Sequence, residues 1–291
     1  MNKKIRTSSF FSLYGLLVVV LTLLNTLVYS VVFIEETRAP LTVYFLDVGQ
    51  ADATLIESSN GNRVLIDLGG GRDAADLVTR TLPFYDQSID VVIITHPHFD
   101  HLNGLTSLLD YVDVGLVLES GSDYKTGVVE DFSRALDEKG IEKMYARRGT
   151  VIKMSKDVNI FILFPDRDVS LVDPNDSSIW LKANHQNNSF LFTGDSSVEI
   201  EEYMIDLDEE ALKSNVLQAG HHGSKTSNSL DFIEKVKPEY VVVSAGEDNK
   251  YNQPHEEVID RFLSLGIEVL ETSKIGSAVF VSDGDDIEVI K

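Results

Sequence analysis

The sequence places three histidines and an aspartate within seven residues, and side chains of these types bind metal ions. The run Thr95-His96-Pro97-His98-Phe99-Asp100-His101 directly follows the apolar residues 91–94, which are typical of a buried strand. His96 and His98 lie two apart on a segment that Pro97 keeps out of a helix, so both side chains point to one side. Neutral imidazole nitrogens and carboxylate oxygens suit zinc and similar divalent ions. The run therefore predicts a metal site at the end of a strand, in preference to a histidine-rich surface turn.

Three later segments also place metal-compatible side chains after a strand or a turn. They are Gly194-Asp195, Gly220-His221-His222-Gly223 and Pro254-His255. Taken singly, a Gly-Asp pair is typical of a turn, and a lone Pro-His is typical of the surface. Because the sequence contains no cysteine, any metal site must be built from His, Asp and Glu. Together with the first run, these segments supply the donors that two ions need when a carboxylate bridges them.

Strand-like and helical segments alternate along residues 41–291 and would position these side chains. Residues 53–57 and 63–67 flank a polar turn, as the arms of a β-hairpin do. The stretch 102–111 predicts a helix, because its leucines recur on one helical face. An early hairpin followed by β-α alternation predicts a mixed α/β domain in which helices cover sheets.

The composition makes the greater part of the chain strongly acidic. The net charge is −22, and the first 38 residues contribute +2, so the remainder carries −24. Such a surface repels a nucleic-acid backbone unless a basic groove or bound metal ions overcome the repulsion. Solubility or adaptation to salt explains the charge without a special partner. Nucleic acid is therefore disfavoured as a substrate but is not excluded. The sequence identifies no protein partner.

The amino terminus differs from the rest of the chain in its hydropathy. Three basic residues precede an uncharged stretch over residues 10–34. As a helix rising about 1.5 Å per residue, that stretch would exceed the roughly 30 Å hydrocarbon core of a bilayer, and its end has no small-residue cleavage site. The pattern predicts a basic cytoplasmic tail over residues 1–9, an uncleaved transmembrane anchor over 10–34 and a linker over 35–40. Residues 41–291 would then lie outside the cytoplasm at the cell membrane.

The motifs together resemble those of the metallo-β-lactamase-fold hydrolases, and within them the soluble domain of the competence-related DNA-uptake proteins of the ComEC type. The run 95–101 and the Gly-Asp pair are specific for the superfamily, while Asp47-Val48-Gly49-Gln50 and Gly220-His221-His222-Gly223-Ser224 indicate the subgroup. The resemblance implies a four-layer αβ/βα sandwich with a two-metal site at the edge between its sheets.

The resemblance also implies how the donors divide between two ions. His96 and His98 would hold one ion, Asp100 and His101 would hold the other, and Asp195 would bridge the two. Asp100 and His221 would also be the catalytic residues.

The remaining histidines leave alternatives open. His255 would complete the Asp100 site, and His222 would complete the His96 site, where His185 is a weaker alternative. His221 would face the substrate as acid, base or hydrogen-bond donor to a phosphate, and an exchange of the roles of His221 and His222 stays open.

Four other polar residues have weaker assignments. Asp47 and Asp67 could accept hydrogen bonds from metal-binding imidazoles and orient them, although a turn explains either residue equally well. Ser224 and Lys225 could contact a phosphate, and the alternative is a solvated loop.

These assignments predict an enzyme with two divalent ions, zinc in the first place and manganese as the alternative. A hydroxide bridging the ions would attack a phosphodiester, either in nucleic acid or in phosphocholine-type decorations of surface polymers. The function expected from the sequence is therefore that of a membrane-anchored, metal-dependent phosphodiesterase. Hydrolysis of lactams, lactones or thioesters is one alternative, and a non-catalytic binding protein on the same fold is another.

Overall fold

The computed structural model describes residues 8–36 and 41–290, and within the first of these ranges it describes the side chains of residues 14–30. The chain divides into two compact units, residues 1–38 and residues 39–291. Residues 1–7 of the expected tail and residues 37–40 of the expected linker lie outside the described residues.

The second unit alternates strands and helices as the sequence predicts. The strands are β1 (Leu41–Phe45), β2 (Thr54–Ser58), β3 (Arg63–Ile66), β4 (Ser88–Ile94), β5 (Asp113–Glu119), β6 (Glu142–Tyr145), β7 (Val151–Lys153), β8 (Val158–Phe164), β9 (Trp180–His185), β10 (Asn188–Phe192), β11 (Val216–Gln218), β12 (Tyr240–Val243), β13 (Glu268–Glu271), β14 (Ala278–Ser282) and β15 (Ile287–Ile290). The helices are α1 (Ser8–Glu36), which forms the first unit, and α2 (Gly71–Thr81), α3 (Phe99–Leu102), α4 (Leu105–Leu108), α5 (Gly127–Lys139), α6 (Val198–Leu212), α7 (Leu230–Val236), α8 (Glu256–Ser264) and α9 (Thr272–Ile275).

Two sheets pack face to face and carry helices on their outer faces. The first has the order β15-β14-β1-β2-β3-β4-β5-β6, and the second has the order β13-β12-β11-β10-β9-β8-β7. One buried apolar cluster lies between the sheets, a second lies under α2 to α5, and a third lies under α6 to α8. This arrangement of helices, two sheets and helices is the sandwich that the resemblance implies.

Strand β4 shows why an uninterrupted apolar run is needed at the centre of the first sheet. Val91 and Ile93 face the cluster between the sheets, whereas Val92 and Ile94 face the helices. A strand covered on both faces has no solvent side, so polar residues do not alternate along it. Its neighbours β3 and β5 both run parallel to it, and the predicted hairpin of β2 and β3 is confirmed by their antiparallel pairing.

The expectation of a membrane anchor over residues 10–34 is wrong, and so is the single-pass localisation built on it. Among the described residues, no helix is long and apolar enough to cross a membrane. Side chains are described for residues 14–30 of α1. Polar side chains also interrupt this stretch: Thr22, Asn25, Thr26 and Ser30 each donate a hydrogen bond to the carbonyl group four residues earlier.

The single helix predicted over residues 102–111 is interrupted, because α3 ends at Leu102 and only Leu105–Leu108 form the next helix, α4. The break falls at Asn103 and Gly104, where the chain packs against the loop after β3. Gly104 donates its N–H to the carbonyl of Leu68 at 2.8 Å, and a Cβ at Gly104 would lie 2.8 Å from the carbonyl oxygen of Gly69. Contact between the two loops therefore outweighs the local preference for one continuous helix.

Candidate metal centre

The site lies where the ends of several strands meet at one edge of the sandwich. β3 and β4 run parallel, and so do β10, β11 and β12, so the loops that follow them share an edge in each sheet. The two edges are joined by a hydrogen bond from the N–H of Ile179 to the carbonyl of Thr95 at 2.9 Å. Because β2 runs antiparallel to β3, the residues just before β2 reach the same edge.

Asp67, the residue after β3, orients the histidine run from behind. Its carboxylate accepts hydrogen bonds from the N–H and the hydroxyl of Thr95, at 2.7 and 2.6 Å, and contacts Nδ1 of His101 at 2.8 Å. Burial raises the pKa of Asp67, although the hydrogen bonds and the positive charge of His101 act to lower it. With Nδ1 of His101 held by Asp67, Nε2 of the same ring faces the cluster of carboxylates and imidazoles.

His222 is fixed in the same manner by a different strand end. Its Nδ1 lies 2.8 Å from the carbonyl oxygen of Ser244, the residue after β12. A carbonyl only accepts hydrogen bonds, so Nδ1 carries a proton and Nε2 is the ring nitrogen directed at the cluster. That Nε2 lies 3.5 Å from Oδ2 of Asp100 and 3.9 Å from Oδ2 of Asp195.

Asp195, after β10, lies at the centre of the imidazoles. Its Oδ2 is 3.8 Å from Nε2 of His96, 3.4 Å from Nε2 of His101 and 3.5 Å from Nε2 of His221. The backbone N–H of Asp195 donates to the hydroxyl of Ser178 at 3.1 Å, which holds the carboxylate in place. One carboxylate thus lies within reach of the imidazoles of both histidine motifs.

The donor atoms of this cluster are suited to a divalent metal ion. One donor each from Asp52, His101, Asp195 and His222 lies within 4.8 Å of the other three, and all four residues are buried. Among the described residues, Asp52 Oδ1, Asp195 Oδ1 and Nε2 of both histidines are buried without a hydrogen-bond partner, an arrangement that is costly unless an ion satisfies it. Two donors on one tetrahedral zinc lie roughly 3.4 Å apart, which is close to the 3.4 Å between His101 Nε2 and Asp195 Oδ2.

His96 and His98 form a second group beside this cluster. Nε2 of His96 lies 3.1 Å from Nδ1 of His98. Nδ1 of His96 lies 3.2 Å from the Thr95 hydroxyl and 3.3 Å from the Ser178 hydroxyl. Burial lowers the pKa of His96 well below its usual value, and the charge on His101 adds to the effect. A neutral imidazole is the form that binds a metal ion.

Burial and neighbouring charges shift the pKa values of the central residues in opposite directions. Burial lowers the pKa of His101, but the carboxylates of Asp195 and Asp67 outweigh it and raise that pKa well above its usual value. For His222, burial also lowers the pKa, and Asp52 and Asp195 outweigh it. Burial raises the pKa of Asp195, but the two charged imidazoles outweigh it, so its pKa falls well below the usual value. The cluster therefore keeps an ionised carboxylate in a buried position, which favours a cation there.

A cleft of about 440 Å³ opens on the cluster. It is lined by His98, Asp100, Asp195, His221 and His222, with Tyr124 and Tyr251 among the residues of its walls. The side chains of Asp100 and His221 are 32% and 27% exposed, so a ligand in the cleft would reach both of them. Nδ1 of His221 lies 3.2 Å from the hydroxyl of Thr226, which leaves Nε2 directed toward Asp195.

The two histidines of the second motif lie on a strained bend of the backbone. His221 has φ 50° and His222 has φ 54°, in the left-handed region that costs a non-glycine residue about 1–2 kcal/mol. The bend follows β11 and turns both side chains toward Asp195. Asn228 stabilises it, accepting the N–H of Gly220 at 2.9 Å and donating to the carbonyl of Gly220 at 2.8 Å.

Two residues of the site were missed in the sequence, Asp52 and Ser178. Oδ1 of Asp52 lies 3.5 Å from Nδ1 of His222, and its Oδ2 lies 3.9 Å from Nδ1 of His101. Asp52 stands five residues after Asp47 and shortly before β2. A carboxylate just before a buried strand was the signal that could have identified it. Ser178 gives no signal of its own, because a lone serine before a strand is common.

The structure does not bring every predicted residue into the cluster. His222 lies beside Asp100 and His101, whereas the resemblance implies that it completes the His96 site. His255 lies at the start of α8, where its Nδ1 accepts the N–H of Lys225 at 3.3 Å. Its assignment as a ligand stays a prediction.

Four further candidates lie outside the donor cluster. Asp47 is exposed and accepts the N–H of Gly49 at 3.4 Å, while Nδ1 of His185 is paired with the hydroxyl of Ser282 at 2.8 Å, at the far end of β9. Ser224 is buried against Thr226 at 2.9 Å, and the side chain of Lys225 is exposed. A role for any of them in binding stays a prediction.

Comparison with known proteins gives five relatives of this sequence, and two of them illustrate the range. ComE operon protein 3 of Bacillus subtilis is 30% identical over 258 residues, which cover 81% of this chain and 32% of the relative. Ribonuclease Z of Aeropyrum pernix is 44% identical over 55 residues, covering 19% of this chain and 17% of the relative. The chain thus spans about a third of the length of ComE operon protein 3.

Solved structures include proteins whose fold is similar to the fold of this chain. The metallo-β-lactamase fold protein YhfI of Bacillus subtilis superposes with a TM-score of 0.56 at 12% sequence identity, covering 84% of this chain and all of YhfI. At that identity the likeness concerns the fold alone. The family model of the metallo-β-lactamase superfamily matches residues 46–247, a range that contains every residue of the donor cluster from Asp52 to His222. This chain therefore belongs to the metallo-β-lactamase superfamily.

Proposed function

We propose that this chain is a metal-dependent phosphodiesterase that uses two divalent ions, zinc or manganese. The observation that carries the proposal is the buried group Asp52, His101, Asp195 and His222, each with a donor atom that has no hydrogen-bond partner. Two of its members, Asp195 and His222, line an open cleft. Two bound divalent ions would act as Lewis acids on phosphoryl oxygens and activate water for attack.

The distances support one assignment of the donors. Asp100, His101, Asp195 and His222 would hold one ion, because the Nε2 atoms of both histidines face these carboxylates. His96 and His98 would hold the other ion, with Asp195 between the two groups. Asp67 would keep His101 in the tautomer that presents Nε2 to the ion, and this orienting role is typical of carboxylates behind metal-binding histidines.

The partly exposed residues would act on the substrate. His221 lines the cleft and has Nε2 3.5 Å from Asp195, so it would donate a hydrogen bond to a phosphoryl oxygen or a proton to the leaving group. Asp100, from the first histidine motif, lines the same cleft and would also act on the substrate. The 55-residue match to a ribonuclease supports a phosphodiester as the substrate. The charge of −24 outside the first 38 residues disfavours long polyanions.

The experiment uses the full-length protein, stripped of metal with a chelator and reloaded with zinc or manganese. We would measure hydrolysis of bis-p-nitrophenyl phosphate and of single-stranded DNA. Asp195→Asn removes the central carboxylate, and Asp260→Asn, an exposed carboxylate on α8, is the matched control. We expect metal-dependent cleavage in the parent and in Asp260→Asn, and loss of cleavage in Asp195→Asn.

Other outcomes would redirect the proposal or end it. Tight binding of two ions without cleavage of either phosphodiester would favour acyl substrates such as lactams, lactones or thioesters. Failure to bind zinc or manganese at micromolar concentration would rule out the metal-dependent enzyme and favour a binding protein on this fold.

A further inference from the structure

We propose that Gln50 is a positioning residue for the active site, acting through Gln253 on the bend that carries His221 and His222. The motif Asp47-Val48-Gly49-Gln50 contributes no donor to the cluster, and the proposed chemistry gives it no task. The inference rests on the proposed function, because it assigns Gln50 a task in presenting the two histidines to that site.

Gln50 fixes the loop that precedes α8. Its Oε1 accepts the N–H of Gly246 at 2.9 Å, and its Nε2 donates to Oε1 of Gln253 at 2.8 Å. The backbones also pack closely, since a Cβ at Gly246 would lie 2.8 Å from the backbone nitrogen of Gln50. A single side chain therefore holds the start and the end of residues 246–253.

Gln253 passes this restraint on to the histidines. With its oxygen held by Gln50, its Nε2 donates to the carbonyl of His221 at 3.1 Å. The same loop touches the bend again, because the N–H of His255 donates to the carbonyl of Gly223 at 3.0 Å. A Cβ at Gly223 would lie 2.6 Å from Cβ of Pro254, so the loop and the bend are packed without a gap.

The bend requires such support because both histidines have a positive φ. Residues in that conformation persist only where the surrounding structure fixes them. Asn228 holds the bend from the side of Gly220, and Gln253 holds it at His221, from the side of the cleft. Without the second contact, the bend would be free to relax, and Nε2 of His221 would move away from Asp195.

A primary amide is suited to this task at position 50. It accepts from Gly246 with its oxygen and donates to Gln253 with its nitrogen, and both contacts are needed at once. Methionine has a similar length and volume without either group, so Gln50→Met separates the hydrogen bonds from the packing.

The test compares Gln50→Met, Gln253→Met and the double variant with the parent, in the full-length chain. Gln87→Met is the control, since Gln87 is a part-buried glutamine that bonds the carbonyl of Pro83 at 2.8 Å, before β4 and at the opposite end of that strand from the site. We would measure kcat and KM for bis-p-nitrophenyl phosphate. Amide hydrogen exchange of residues 219–225 in the metal-free protein provides a readout that needs no activity.

We expect each single variant to lower kcat about tenfold, the scale of one or two lost hydrogen bonds, with KM little changed. Exchange of residues 219–225 should rise by a similar factor. Because Gln50 acts through Gln253, the double variant should be no worse than the poorer single variant. The control should match the parent in both readouts.

Three results would overturn the inference: kcat and exchange unchanged in Gln50→Met, effects that multiply in the double variant, or an equal effect in Gln87→Met. If the parent hydrolyses nothing, the proposed function fails, and the exchange measurement still decides whether Gln50 holds the bend.

Discussion

The ring of His222 and the carbonyl group of Ser244 form a 2.8 Å hydrogen bond that decides which nitrogen of the ring faces the cluster. The two residues follow neighbouring parallel strands, β11 and β12, so the sheet itself sets their separation. With Nδ1 used as the donor, Nε2 is left 3.5 Å from Asp100. The fold thus directs Nε2 at the cluster before any ion binds, and a metal ion would displace the proton from that nitrogen.

His222→Ala should therefore weaken the binding of one ion. Deleting a donor should cost at least about 100-fold in affinity, the upper end of the loss seen when an outer partner is removed. Competition with a chromophoric chelator would measure it. Asp260→Ala, at an exposed residue of α8, is the control, and equal losses in the two variants would contradict this assignment.

Asp67→Asn should reduce zinc affinity by about 10–100-fold while the fold is retained. The substitution weakens the contacts that Asp67 makes with His101 and with the hydroxyl of Thr95, so the ring is no longer fixed in one tautomer. Circular dichroism and the same competition assay would separate folding from binding. Asp47→Asn, at an exposed carboxylate, should leave affinity unchanged; if it does not, the orienting role belongs to both aspartates.

Asp52→Asn tests the residue that the sequence motifs did not single out. Its buried carboxylate lies 3.5 Å from Nδ1 of His222 and 3.9 Å from Nδ1 of His101. Removing this negative charge should lower the affinity for a divalent ion by roughly tenfold. Isothermal titration with zinc would measure the loss, with exposed Asp123→Asn as the control. An unchanged affinity would show that Asp52 has no part in binding the ion.

Glu201 predicts a pH dependence of stability that Glu201→Gln should reduce. The carboxylate is buried and accepts the N–H groups of Asn228 and Ser229 at 2.5 and 2.9 Å, and burial raises its pKa above the usual value despite these bonds. The folded chain therefore holds this proton more tightly than the unfolded chain does. Stability should fall as the pH rises from the ordinary glutamate value, about 4.3, through the raised pKa.

Urea unfolding of the metal-free protein at several pH values would test this expectation. The parent should lose more stability across that interval than Glu201→Gln, whose side chain does not titrate. The opposite order, with the variant losing more stability as the pH rises, would mean that the hydrogen bonds outweigh burial and lower the pKa of Glu201.

Much of this protein follows from its sequence because the decisive signals are local. The apolar run before Thr95 forms β4, and the close spacing of His96, His98 and His101 keeps the three side chains near one another along the chain. The hairpin of β2 and β3 and the layered α/β architecture also follow from local patterns. For the same reason, the histidine run alone is enough to suggest a metal site.

The tertiary structure decided the relationships between distant segments. His222 joins Asp100, more than a hundred residues earlier, because the ends of parallel strands from two sheets meet at one edge. Asp52 reaches the same place because β2 runs antiparallel to β3. The helix expected over residues 102–111 breaks because its glycine packs against another loop. Such contacts depend on strand order and register, which no short stretch of sequence encodes.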